Sequence, residues 1–260
     1  MPDLRRCPQC GAPIAPDVST DGLCSRCLLR LGLAAEDGNP SDAPAMATFV
    51  YAPCRILTLL GAGPAGRTYL AEQERPHRRL VAVTLIDITC TPDEAQKRID
   101  GLLSRLLALD HPGLVPVFDG GITENRQAYL VSEYQPASSI VRYCERSGLA
   151  PAGRLLLFAA ACDAVQHAHA AGLVHGHLAA ANVLIAGRAP AVPRIGDFGV
   201  AFVAGKDVGV ADDVEALRAV LAELLPRAEE PGFAGLLEDR GIQSAGQLAD
   251  AARRLASGCA

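Results

Sequence analysis

Four cysteines near the start of the chain have the spacing of a metal site. Cys7 and Cys10 form one C-x2-C pair, Cys24 and Cys27 form another, and thirteen residues separate the pairs. Each pair presents two thiolates to one side, and two pairs complete the tetrahedron that zinc prefers. A segment this short buries no core of its own, so metal binding worth about 10–16 kcal/mol would fold it. We predict a structural zinc ribbon over residues 1–32, the alternative being four free cysteines on a flexible tail.

Charge and composition bear on what the ribbon and the rest of the chain contact. The net charge is −5 and the pI about 5.7, which does not favour nucleic acid or anionic lipid as a partner. The ribbon contains arginines but no aromatic side chain to stack on bases. We therefore expect it to contact protein or to act as a spacer. Small polar residues and prolines over residues 33–52 indicate a linker.

The stretch from His175 to Gly199 carries two further motifs. It begins H-G-H-L-A-A-A-N, which ends at Asn182, and closes with D-F-G, which starts at Asp197. This resembles the catalytic and metal-binding loops of Ser/Thr protein kinases, H-R-D-L-K-x-x-N and D-F-G. His177 stands at the position of the proton-accepting Asp, and Ala replaces the Lys two residues later. The resemblance implies a degenerate kinase fold, or pseudokinase.

A glycine-rich turn lies upstream of these loops. Gly61, Gly63 and Gly66 give G-x-G-x-x-G, a pattern shared by Rossmann folds and kinases. A Rossmann fold requires a helix next, whereas the run Leu80–Ile86 has the composition of a strand. Strand, glycines and two further strands resemble the kinase loop that folds over nucleotide phosphates.

Two charged positions of the kinase pattern are neutral in this sequence. The third strand should read V-A-x-K, and Thr84 stands in place of the Lys. Counting back from His111 in the kinase-like L-D-H-P segment, the Glu that pairs with this Lys falls at Leu102, in a predicted helix over residues 92–109. A lone buried half of the pair would cost about 3–5 kcal/mol, so a joint loss leaves no orphan charge. Arg67 in the glycine-rich turn is an alternative cation.

The resemblance also implies a nucleotide slot. Ala82 would form its roof, and the backbones of Glu133 and Gln135 would face an adenine. Asn182 and Asp197 hold magnesium in active members of the family. Here they either retain Mg-nucleotide binding or serve only the structure of their loops. We predict that Mg-ATP binds weakly or not at all.

Four histidines near the catalytic motif suggest a second metal site as an alternative. They are His167, His169, His175 and His177. Bacterial kinases show H-A-H-x-x-G-x-x-H here as structure, so only His177 is unexpected. Its ordinary pKa near 6.5 suits a general base, but the neighbouring Lys is absent and efficient phosphoryl transfer is not expected.

The sequence after Gly199 departs furthest from the family. No A-P-E, the end of the substrate-binding activation segment, occurs in the chain. A helix with an apolar stripe follows from Asp213, and Ser244 with Gln247 predicts a capping box at the last helix. The C-terminal lobe is therefore abbreviated.

Together these features predict an α+β, two-lobe protein-kinase-like fold behind the zinc ribbon. We place a small β-rich N-lobe at residues 53–135 and a truncated helical C-lobe at 136–257. The predicted role is a non-catalytic binding, scaffolding or signalling module with an unidentified protein partner. The alternatives are a divergent ATP-dependent Ser/Thr kinase and a Mg-ATP sensor without phosphotransfer. Without an apolar run long enough for a membrane or an N-terminal signal sequence, and with scattered cysteines, we expect a cytoplasmic protein.

Overall fold

The computed structural model describes residues 50–51, 54–63, 66–74, 77–123, 125–186, 191–225 and 233–258. The predicted zinc ribbon, with Cys7, Cys10, Cys24 and Cys27, lies outside these residues, and so does most of the predicted linker.

The first half of the described chain forms a six-stranded antiparallel sheet of order β1-β2-β3-β4-β6-β5. Its strands are β1 (Val50–Tyr51), β2 (Cys54–Gly63), β3 (Gly66–Gln73), β4 (Arg79–Ile86), β5 (Val117–Ile122) and β6 (Ala128–Glu133). Strand β1 lies within the segment that we predicted as linker and pairs with β2 at the sheet edge. The strand–turn–strand prediction for the glycine-rich segment is matched by β2 and β3.

Strand β4 separates two hydrophobic cores because successive side chains of a strand point to opposite faces. Val81, Val83 and Leu85 pack in a small core within the sheet. Ile86 packs in the main core, which continues into the helical lobe. Thr84 lies two residues before Ile86 and shares its face of the strand, which is turned toward the second lobe. There its hydroxyl contacts Asp197.

The helices are α1 (Pro92–Leu106), α2 (Ile140–Arg146), α3 (Pro151–Ala170), α4 (Val200–Val203), α5 (Val210–Leu224), α6 (Phe233–Glu238) and α7 (Ala245–Gly258). Helix α1 begins at a capping box in which Thr91 and Glu94 satisfy each other's backbone N–H groups. It ends three residues before the predicted Leu109. The capping box predicted for the last helix is also present, since Ser244 and Gln247 exchange the same hydrogen bonds.

The second lobe is built on helix α3, which carries several buried alanines and packs against α7. Small side chains let two helix backbones approach closely. The apolar stripe of α5 is buried as predicted, and its members are Val214, Leu217, Val220, Leu221 and Leu224. A three-stranded sheet of β7 (Ala137–Ser139), β8 (Val183–Ala186) and β9 (Pro193–Ile195) completes this lobe.

The loop before β5 contacts elements of the second lobe. Ile195 of β9 donates its N–H to Gly113 O at 2.8 Å and accepts from Val115 N–H at 2.9 Å. A Cβ on Gly113 would lie 2.7 Å from Ala164 Cβ in α3, so only glycine fits there. These contacts fix the end of β9, and Asp197 follows two residues later.

A sheet-based lobe joined to a helical lobe confirms the predicted α+β two-lobe kinase fold. None of the helices described here combines the length and apolarity needed to span a bilayer.

Candidate functional site

Asp197 lies on the tight turn after β9, where its backbone adopts a positive φ of 57°. Its Oδ1 accepts a hydrogen bond from the Thr84 hydroxyl at 3.1 Å, and its Oδ2 accepts from Asn182 Nδ2 at 3.0 Å. Three residues that the sequence singled out, separated by up to 113 positions, therefore meet at one carboxylate.

Thr84 occupies the lysine position of β4 and is only 5% exposed. Since its single hydroxyl proton is given to Asp197, the 3.1 Å contact with the Thr68 hydroxyl has Thr68 as donor. The chain Thr68, Thr84, Asp197 is a relay of neutral donors ending on the carboxylate. A hydroxyl satisfies the hydrogen-bonding need of Asp197 but provides no positive charge for a phosphate.

Leu102 in α1 stands at the position of the missing Glu and is 1% exposed. A Cβ on Gly199 would lie 2.3 Å from Leu102 Cδ2, and Gly199 has a φ of +83°. Glycine is thus required at 199 both for the turn and for the close approach of α1. Leu102 thus packs with apolar contacts on the Asp-Phe-Gly turn.

His175 is fully buried and forms part of the frame of the catalytic loop. Its Nδ1 lies 3.3 Å from the His177 N–H, which donates to it, and its Nε2 lies 2.9 Å from Gly196 O. The imidazole is therefore neutral with its proton on Nε2. Burial lowers the pKa of His175, which favours this neutral form. The ring also packs against Phe198, with centroids 4.7 Å apart.

His177, at the predicted position of the proton acceptor, is half-buried, and its ring lies close to Gly63 at the end of β2. A Cβ on Gly63 would lie 3.5 Å from His177 Nε2, an ordinary van der Waals separation. The end of β2 thus lies directly over the catalytic loop.

The three glycines of the turn have different structural needs. Gly66 has a φ of +146°, and a Cβ there would lie 1.9 Å from Leu85 O, so the fold itself requires glycine. A Cβ on Gly61 would meet nothing within 4 Å, and one on Gly63 would make only the contact with His177. The fold therefore explains Gly66 but does not demand Gly61 or Gly63.

The predicted adenine slot lies where β4 and β6 pair, with Ala82 opposite Ser132. The Glu133 side chain is 3.0 Å from Arg194 Nη1, and the Glu133 N–H donates to Pro116 O. Gln135 O accepts from Ala137 N–H at 2.8 Å. Burial raises the pKa of Tyr134, between these two residues. The hinge is thus ordered by bonds within the protein.

Asp213 is a structural centre that the sequence reasoning did not identify as such. It is 1% exposed and accepts from His169 Nε2 at 2.8 Å and from the N–H groups of His175 (2.8 Å) and Gly176 (2.7 Å). Burial alone would raise the pKa of Asp213, but these hydrogen bonds bring it below its ordinary value. The one sequence feature that could have indicated this role is the position of Asp213 directly before Val214, the first residue of the buried stripe of α5.

The histidines have partners other than metal. His169 bonds to Asp213, His175 bonds to Gly196, and His167 stacks on His111 with ring centroids 4.8 Å apart. Across the described residues, no group of three or more His, Cys, Asp or Glu side chains is arranged to hold a metal ion. Asp197 and Asn182, the predicted magnesium pair, are joined by the 3.0 Å hydrogen bond from Asn182 Nδ2, and each Asp197 oxygen accepts one side-chain donor.

The fold and these loops define the class of protein: a two-lobe protein kinase fold with its glycine-rich, catalytic and Asp-Phe-Gly loops brought together. The family model described as protein tyrosine and serine/threonine kinase matches residues 54–216. The chain therefore belongs to the protein kinase family.

Bacterial Ser/Thr kinases are among its relatives. The chain is 29% identical to the serine/threonine-protein kinase Pkn1 of Myxococcus xanthus over 212 residues, which is 73% of this chain and 30% of that protein. It is 32% identical to PknA of Mycobacterium tuberculosis over 154 residues, or 56% of this chain and 35% of that protein. The chain thus spans about a third of the length of these relatives.

A double mutant of the kinase domain of Mycobacterium tuberculosis PknI matches in three dimensions. Its crystal structure superposes with a TM-score of 0.65 at 21% identity, covering 82% of this chain and all of that domain. The match supports the two-lobe fold.

Proposed function

We propose that this protein is a catalytically impaired kinase, a pseudokinase, that acts by binding other proteins as a scaffolding or signalling module. The observation that carries this proposal is the 3.1 Å hydrogen bond from the Thr84 hydroxyl to Asp197. In a working kinase, a lysine at this strand position and metal ions at the Asp-Phe-Gly carboxylate neutralise the phosphates. Here the Thr84 hydroxyl at the strand position donates to the Asp197 carboxylate and supplies no positive charge.

The loss of charge extends beyond Thr84. Phosphoryl transfer is achieved mostly by positioning and charge stabilisation. Leu102 is apolar at the Glu position, and Gly176 and Ala179 stand where the family motif has Arg and Lys. Residues that act as a unit in catalysis lose their effect together. His177 alone would therefore not sustain efficient phosphotransfer.

A Mg-nucleotide sensor is the second candidate function, and the glycines at 61 and 63 favour it. The fold leaves open space at Gly61 and only an ordinary contact at Gly63. A backbone that must approach phosphates closely is one reason to keep glycine where packing does not require it. A divergent Ser/Thr kinase is the third candidate.

Thermal melting of the protein with and without millimolar Mg-ATP distinguishes these functions. A ligand at a hundred times its Kd stabilises by about 2.7 kcal/mol, which raises Tm by several degrees. We expect no shift. A shift that disappears in Asp197→Ala but persists in Asp250→Ala, an exposed carboxylate distant in sequence, would contradict the pseudokinase proposal. A radiolabelled phosphotransfer assay would then separate the sensor from the kinase.

We further propose that Cys7, Cys10, Cys24 and Cys27 hold one zinc ion. Four thiolates in two C-x2-C pairs are a typical structural zinc ligand set. Elemental analysis of the purified chain should find one zinc per molecule, and Cys7→Ser with Cys24→Ser should lose it. Cys54→Ser, at a buried cysteine of β2, is the matched control and should keep the metal.

A further inference from the structure

The segment after Asp-Phe-Gly is held at its first end by the connection between β4 and α1. A short helix leaves its last carbonyls without partners. At the end of α4, two carbonyls accept hydrogen bonds from outside the segment. The carbonyl of Ala204, the residue after the helix, accepts from Thr89 N–H at 3.0 Å and from the Thr89 hydroxyl at 2.8 Å, and Phe202 O accepts from Arg98 Nη1 at 2.9 Å as well as from Gly205 N–H. Position 205 also requires glycine, since φ is +87° and a Cβ would lie 2.7 Å from Thr89 Oγ1.

The other end of the segment is seated on the catalytic loop. Gly176 has a φ of +69°, and a Cβ built on it would lie 2.4 Å from Val208 Cγ2 and 3.0 Å from Ala201 Cβ. Val208 therefore occupies a notch that exists only because residue 176 has no side chain. The family motif has Arg at this position, so the loss of the Arg creates the seat for Val208.

The sequence of this region removes the usual means of ordering such a segment. Kinase activation loops are commonly ordered by phosphorylation, through new pairs between a phosphorylated residue and Arg. From Gly196 through Gln243 this chain contains no Ser, Thr or Tyr. Both the phosphate acceptor and the motif Arg are absent, while hydrogen bonds and an apolar contact are present in their place.

We propose that residues 200–209 form a permanent strap, docked without phosphorylation, that fixes α1 and the catalytic loop in one arrangement. The backbone N–H of Gly176 also donates to Asp213 of α5 at 2.7 Å, so residue 176 contacts both the strap and α5. This inference rests on the proposed pseudokinase function, because a binding module needs one constant surface whereas a regulated kinase needs two states.

A lysine-specific endoproteinase provides the test, because the chain has only two lysines, Lys97 and Lys206. Lys206 lies within the strap and has an exposed side chain, so cleavage after it reports local opening of the backbone. We expect the native protein to resist cleavage at Lys206. Val208→Ala should accelerate it about fivefold by removing methyl groups from the notch. Val210→Ala, 37% exposed two residues later, is the matched control and should leave the rate unchanged.

A double-mutant cycle identifies the contact itself. Gly176→Ala should speed cleavage and lower Tm through both the clash with Val208 and the strain of its positive φ. In the Val208→Ala background, the same change should have a smaller effect, because the clashing methyl groups are gone. If the two residues did not contact each other, the effects of the two substitutions on cleavage rate and Tm would be additive.

Cleavage at Lys206 as fast in the native protein as in urea, or additive effects of the two substitutions, would overturn the strap. The assay contains no nucleotide, so it is independent of the proposed function. A Mg-ATP melting shift together with a protected Lys206 would contradict the pseudokinase proposal and leave the docked strap intact.

Discussion

Two carboxylates, the buried Asp213 and the half-buried Asp197, show how differently the two sides of the catalytic loop are built. Asp213 accepts two backbone N–H groups and one imidazole, at 2.7–2.8 Å. Asp197 is half-buried and accepts two side-chain donors, from Thr84 and Asn182, at 3.0–3.1 Å. The first carboxylate holds the loop in shape, and the second stands at the position where the family binds metal.

The difference shows which contacts around the catalytic loop depend on side-chain identity and which depend on the backbone. The backbone donors on Asp213 are supplied by positions 175 and 176 whatever their side chains are. A Gly at the Arg position of the motif therefore leaves this anchor intact. The partners of Asp197 are side chains, so substitution at position 84 changes the chemistry of the site directly.

The largest effect is expected from Asp213→Ala, which leaves two buried N–H groups and an imidazole without their acceptor. We expect a loss of about 3–5 kcal/mol in the free energy of unfolding, measured by urea denaturation. Asp197→Ala should cost only about 1–2 kcal/mol, because the Asp197 side chain is less buried than that of Asp213 and accepts two hydrogen bonds instead of three. Equal costs for the two substitutions would contradict the view that Asp213, and not Asp197, holds the catalytic loop in shape.

Leu102→Glu tests whether the buried position 102 in α1 tolerates a charge. Burying an unpaired carboxylate against Gly199 should destabilise the protein by about 3–5 kcal/mol in the same urea assay. Adding Thr84→Lys should restore about 1–2 kcal/mol if the two positions face each other as in the family. Leu107→Glu, 74% exposed just beyond the same helix, is the control and should change stability little. A full cost without recovery in the double variant would show that positions 84 and 102 no longer form a pair.

As pH falls, the histidines should reduce the free energy of unfolding before the carboxylates do. Burial lowers the pKa of both His175 and His111 in the folded state, and His167 lowers that of His111 further. The unfolded chain therefore takes up protons first, and stability that is present above about pH 6.5 is lost as pH falls below it. The lowered pKa of Asp213 adds a later loss below about pH 4. Urea midpoints from pH 8 to pH 3.5 measure both steps. His175→Gln should flatten the first, and a midpoint constant from pH 8 to pH 5 would contradict it.

The smallest effect is expected at Arg240, whose side chain is 81% exposed in its ion pair with Glu215 of α5. Arg240→Ala should change the free energy of unfolding by no more than about 0.5 kcal/mol, because exposed ion pairs contribute little. A loss above 1.5 kcal/mol by urea denaturation would mean that burial is not what separates strong from weak contacts in this lobe.

Local patterns predicted much of the fold. The strands on either side of the glycine-rich turn, the apolar stripe of α5 and the capping box at Ser244 are confirmed, because each depends on residues close in sequence. Motif spacing also placed Thr84, Asn182 and Asp197 in one site. Their predicted roles toward nucleotide remain predictions, as does the zinc ribbon.

The contacts that sequence reasoning did not find join positions far apart in the chain. Leu102 was placed at the Glu position by counting, but its packing against Gly199 depends on how α1 meets the Asp-Phe-Gly turn. In the same way, nothing local to Val208 indicates that it fills the space beside Gly176. Such contacts depend on the relative placement of elements, which periodicity and spacing do not encode.

The sequence by itself determined the family resemblance and the order of the kinase elements, and it placed Thr84, Leu102 and His177 where the resemblance expects the strand Lys, the helix Glu and the catalytic Asp. Only the tertiary structure decided what replaced them: a hydroxyl on Asp197, a leucine on Gly199, and a valine seated on the catalytic loop. The physical reason is that a missing charge is visible in the sequence, whereas the neighbours that fill its place are brought together by packing across the two lobes.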